Sequence, residues 1–185
     1  MNRLQYCKRA SIAILFGLLA SNTCWALENQ KPASKVEAKL VEMKLKLPKL
    51  YTPSANYVPY TIVGKLVFIS GNIPMDEGKV KFIGKLGANV SDADGIKAAR
   101  LCALNIIAQL KDAVGSLDKV KRCVKLTGFV NATPEFTSTP QIINGASDLI
   151  VSIFGEKGKH ARAAIGVATL PFGAAVEVDA VFEME

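Results

Sequence analysis

Apolar residues recur along the chain with two different periods, and each period predicts a different kind of element. Between Ala98 and Val114 they fall at Ala99, Cys102, Ala103, Ile106 and Leu110, the spacing that keeps one face of a helix apolar. Ser91-Asp92-Ala93-Asp94 places an N-cap, with an acid three residues on, ahead of that helix, and Gly115 supplies its C′ residue. Pro140–Phe154, ended by Gly155, predicts a second helix. Ser34–Leu45 predicts a short amphipathic one, with Val36, Leu40, Val41, Met43 and Leu45 opposite a lysine-rich side. Asn56–Val63 and Leu66–Ser70 predict two strands around the tight turn Gly64-Lys65. The first is short or at an edge, because Pro59 has no N–H for a ladder. Lys79–Ile83 predicts a short third strand and Lys121–Val130 a fourth.

The last stretch, His160–Glu185, holds two runs rich in Val, Ile and Ala around Leu170–Gly173. This pattern predicts a terminal hairpin with a longer loop, placing Gly166 opposite Glu177. Arg162, Ala164, Gly166, Ala168, Glu177 and Asp179 then share one face. Ala163, Ile165, Val167, Val176 and Val178 fill the other. The order β-β-β-α-β-α-β-β predicts an α+β fold, a two-layer sheet with two helices on one face. The second face, with Arg162 and Glu177, is covered either by water or by another subunit. On pattern alone, Arg162 either lines a pocket, where a guanidinium can bind a carboxylate bidentately, or makes an ion pair with Glu177, Asp179 or a partner subunit.

Length allows one domain of ample core: 185 residues in all. Residues 1–26 predict a cleaved secretory signal and a periplasmic or secreted protein. Arg3, Lys8 and Arg9 precede the apolar run Ala10–Ala20, and Cys24-Trp25-Ala26 offers cleavage before Leu27. That run is shorter than the roughly 20 residues that span a bilayer, and Ser21-Asn22-Thr23 is a poor setting for a lipid-modified Cys24. No stable membrane anchor is therefore expected. Residues 27–50 then form a helical arm and residues 51–185 the α+β domain. Loss of the signal takes the net charge from +7 to +4, ordinary for a soluble domain. There is no basic stripe with interleaved aromatics, so no nucleic-acid partner is expected. Cys102 and Cys123 outlast the signal as buried thiols or as a pair. With His160 the one histidine, no metal site is expected.

Particular motifs add to this. His-Ala-Arg at His160–Arg162, ATLP at Ala168–Pro171 and VEVDA at Val176–Ala180 resemble the Rid (YjgF) reactive-intermediate deaminase family. So do ANYVPY at Ala55–Tyr60, FISGNIP at Phe68–Pro74 and the helix–strand–helix middle, over roughly Asn56 to Phe182. The resemblance implies a chorismate-mutase-like fold in a barrel-like homotrimer, with ligand sites at clefts between subunits. It implies that Arg162 anchors a substrate carboxylate and Glu177 handles water. Tyr57 lies over the ligand in this reading, or is a plain core residue. Asn144 helps close the pocket, although extra residues, roughly Ser138–Ile142, precede it here. Ser70-Gly71 offers backbone N–H groups to a carboxylate, or Gly71 merely ends a strand. Two positions depart from the family: Ala164 stands where a cysteine is common, and His160 where a proline is.

The expected activity is hydrolysis of 2-imino or 2-enamino acids to 2-oxo acids and ammonia, with no organic cofactor. The alternative is a non-catalytic trimer that binds a small carboxylate in the periplasm. An endoribonuclease is a third reading, which the charge pattern does not support.

Overall fold

The computed structural model describes residues 34–50 and 55–185; the expected signal, with its cleavage point before Leu27, lies outside them. Ser34–Glu185 forms one compact unit. Its elements are α1 (Lys35–Glu42), β1 (Tyr60–Val63), β2 (Leu66–Asn72), β3 (Met75–Asp76), β4 (Lys79–Val80), α2 (Asp92–Val114), β5 (Val120–Asn131), α3 (Thr139–Phe154), β6 (Ala161–Val167) and β7 (Val176–Met184). The main sheet has five strands in the order β1-β2-β7-β5-β6. Helices α2 and α3 supply the layer that covers its inner face, which is the α+β arrangement expected.

Local chemistry accounts for the helices. Ser91 Oγ accepts the Asp94 amide at 3.2 Å as the N-cap that starts α2, and donates to the Asp94 carboxylate at 3.0 Å. Gly115 ends it at a φ of 74°, a left-handed conformation that suits glycine. Along β7 every second residue, Val176, Val178, Ala180 and Phe182, is fully buried against α2 and α3. The two helices approach closely at Gly145, where a Cβ would meet the Ile96 carbonyl at 2.1 Å. Helix α1 lays Leu40 into the same core. Cys102 and Cys123 are free and buried, and burial pushes Cys123 up to about 12.

The C-terminal hairpin is not formed. β6 pairs with β5, in parallel, and β7 lies between β2 and β5, antiparallel to both. Leu170–Gly173 is therefore a loop that carries the chain from the sheet edge to its centre. The physical reason is the helix before β6: a β5-α3-β6 crossover aligns the two strands in parallel, and α3 covers both. The face assignment changes with it. Arg162 pairs with the buried Leu126, so it points to the helix side, whereas Glu177 pairs with Phe129 and points outward. Ala163 and Ile165 lie outward beside Thr127 and Phe129, and Val176 and Val178 lie inward. Lys79–Ile83 is also shorter than expected. Lys79–Val80 pairs with Met75–Asp76 in a separate two-stranded ribbon, and Ile83 makes an isolated bridge to Ala174.

Candidate functional site

On the helix side, edge strand β6 presents Arg162 to α3. Asn144 and Ser147 are three residues apart on α3 and so share one helix face. Arg162 Nη1 donates to Asn144 Oδ1 at 2.8 Å and to Ser147 Oγ at 3.1 Å. Those two bonds use both Nη1 protons. Among the described residues nothing takes the Nε and Nη2 protons, which form the edge a carboxylate engages bidentately. No ion pair to Arg162 or to Glu177 is formed among the described residues. Sequence reasoning missed Ser147. Its signal was the i+3 spacing from Asn144.

On the outer side, β2 carries a bulge at Ser70-Gly71: Ile69 pairs with Ala180 but Asn72 with Val178. The bulge sets Gly71 against Glu177. A Cβ at Gly71 would lie 2.0 Å from Glu177 Oε1, so the carboxyl occupies the space a side chain would take. Burial first, and the charge of Asp179 second, raise the Glu177 carboxyl above its ordinary value. Raised values of this kind suit a group that exchanges protons with substrate.

Tyr57, Ser70 and Gly71 line one cleft of about 250 Å³, together with Asn72, Gln109 and Phe172. Tyr57 is 58% exposed, which removes the core-packing alternative. Ser70 has little left to give a ligand: its amide donates to the Pro59 carbonyl and its hydroxyl to that of Val58. One chain thus assembles two groups, Arg162 with Asn144 on the helix side of the sheet and Glu177 with Gly71 on the outer side. Tyr57 shares a cleft with Gly71 and with Gln109 of α2.

Residues 37–183 match the family described as "YjgF/chorismate_mutase-like, putative endoribonuclease". The chain belongs to the YjgF family. Protein TCP17 of Trypanosoma cruzi is 48% identical over 153 residues, covering 82% of this chain and 96% of that protein. The crystal structure of Atu1372 from Agrobacterium tumefaciens, of unknown function, is 48% identical with a TM-score of 0.75, over 81% of this chain and 94% of that one. A Shewanella oneidensis protein, whose structure carries the same endoribonuclease description, is 38% identical with a TM-score of 0.78, over 80% and 99%. The YjgF assignment and the chorismate-mutase-like fold agree with the motifs at both ends of the domain. The departures from the family sit in the Arg162 group: Ala164 lies two residues along β6, and the His160 ring contacts Ser147.

Proposed function

We propose that the protein hydrolyses reactive 2-imino and 2-enamino acids, in sites shared between the subunits of a trimer. Water adds to the imine carbon, the C–N bond breaks, and a 2-oxo acid and ammonia leave. The observation that carries this reading is Arg162, pinned through Nη1 with its Nε–Nη2 edge left for a carboxylate. Glu177, with its raised proton affinity, takes a proton from the attacking water and delivers one to the departing nitrogen. Asn144 and Tyr57 bound the ligand. Because Arg162 and Glu177 lie on opposite sheet faces, a complete site needs the Arg162 group of one subunit against the Glu177 group of the next.

A second reading is a trimer that binds a small carboxylate without turnover. The alanine at 164 favours it, since a family thiol is missing there. The endoribonuclease description of relatives gains no support from the sequence, which has no basic stripe with interleaved aromatics, and the outer sheet face carries Glu177 and Asp179. Two substitutions separate the first two readings. Arg162→Ala should abolish binding of a stable 2-oxo acid in both. Glu177→Gln should keep that affinity but lower turnover of freshly generated imine by roughly 100-fold or more, the scale of a positioned acid–base group. Wild-type turnover no faster than the uncatalysed rate would end the deaminase reading.

A further inference from the structure

Behind Arg162 runs a chain of hydrogen bonds that imine hydrolysis leaves without a task. His160 Nδ1 lies 2.7 Å from the Gly158 carbonyl oxygen, which accepts and cannot donate. Neutral His160 therefore carries its proton on Nδ1, and Nε2 holds a lone pair. Nε2 is 3.1 Å from Ser147 Oγ, so the Ser147 hydroxyl donates to the ring. With its one proton committed, Ser147 Oγ turns lone pairs toward Arg162 Nη1, 3.1 Å away. The far end is firmly held as well: Gly158 packs on α3 so closely that a Cβ would meet the Ile150 carbonyl at 2.7 Å.

We propose that His160, acting through Ser147, is the positioning residue for Arg162, holding the guanidinium so that its Nε–Nη2 edge meets the substrate carboxylate. This rests on Arg162 being the carboxylate anchor. Asn144 alone gives the guanidinium a single bond to pivot about; Ser147 is the second point that stops the rotation. Without an acceptor at position 160, a helical serine turns its hydroxyl to the carbonyl four residues back, and the second point loosens.

An acceptor role and a packing role predict opposite orders for two variants. His160→Gln keeps an acceptor near the Nε2 position, whereas His160→Phe keeps the ring and loses the acceptor. Binding of 2-oxobutyrate should be close to wild type in His160→Gln. It should weaken by about tenfold in His160→Phe and in Ser147→Ala, the scale of one lost hydrogen bond, with melting temperatures confirming folded protein. A readout without ligand accompanies it: the Arg162 Nη signals in nitrogen-15 NMR. These should be resolved in wild type and His160→Gln, and averaged by rotation in His160→Phe and Ser147→Ala. Resolved signals in all four proteins, or wild-type affinity in His160→Phe with loss in His160→Gln, would overturn the relay. Wild-type protein with resolved Arg162 signals but no affinity for 2-oxobutyrate would instead overturn the carboxylate-anchor reading, and leave the relay as a structural feature.

Discussion

Glu177 illustrates how one residue records the tension between folding and function. Its carboxyl is half-buried against Gly71, with Asp179 two residues along the same face, and both effects disfavour the charged form. A carboxyl whose proton affinity is higher folded than unfolded makes the protein less stable as pH rises through that range. The cost is absent below the ordinary value of 4.5, where both states are protonated, and is fully present above the raised folded value. Glu177→Gln should therefore raise the melting temperature at pH 7, by roughly 2 °C. That gain should vanish on titration below pH 4.5. A melting temperature that falls at pH 7 would show that the carboxylate is stabilised by a partner, against the desolvated environment described here. A group held at an energetic disadvantage in the resting fold is the kind that catalysis retains.

At the scale of elements, the N-terminal arm is fastened by a side chain from the main domain. Asp118, just after α2, accepts from Ser34 Oγ at 2.9 Å and from the Lys35 and Val36 amides at 3.0 Å each. These amides are among the unpaired donors of a helix start, so Asp118 acts with Ser34 as the cap of α1. The Val36 amide above all, and then the Lys35 amide and the Ser34 hydroxyl, hold the Asp118 carboxyl below its ordinary value. A depressed folded value means the stabilisation exists above about pH 3.8 and is lost as pH falls through the folded value. Asp118→Ala should cost about 1 kcal/mol at pH 7 by denaturant unfolding, the scale of a lost cap. The difference from wild type should close in acid. The helices were legible in the sequence because their signals are local: Ser91 and Asp94 at one end of α2, Gly115 at the other. The partners of β6 and β7 were not. Ala, Val and Ile alternate in both strands whichever neighbour they take, and only the intervening α3 forces β6 to run parallel to β5. The site was legible as residue types, Arg162 and Glu177, but not as geometry, because the faces followed from the misassigned pairing.

At the scale of the whole molecule, the outer sheet face is unlike a solvated one. Val63 is 65% exposed, Phe68 41% and Ile165 45%, and half-buried Phe129 and Val181 lie on the same face as Glu177 and Asp179. The ladders set Phe68 opposite Val181 and Ile165 opposite Phe129, so exposed apolar groups flank Glu177 and Asp179 on a face of the kind that marks a protein–protein contact. Closing three such faces on one another would bury those groups and would set the Glu177 group of each subunit beside a neighbour. Assembly and chemistry are then one property. Light scattering of the protein without residues 1–26 should give three times the chain mass at micromolar concentration. Phe68→Asp places a charge on β2 beside Val181 of the central strand, far in sequence from Arg162 and Glu177, and should yield a folded monomer. That monomer should retain the Arg162–Asn144 contact and, if the proposed site takes its acid–base group from a neighbour's Glu177, lose imine turnover by roughly 100-fold. A wild-type monomer, or a Phe68→Asp monomer with full turnover, would overturn the site shared between subunits that the opposite faces of Arg162 and Glu177 suggest.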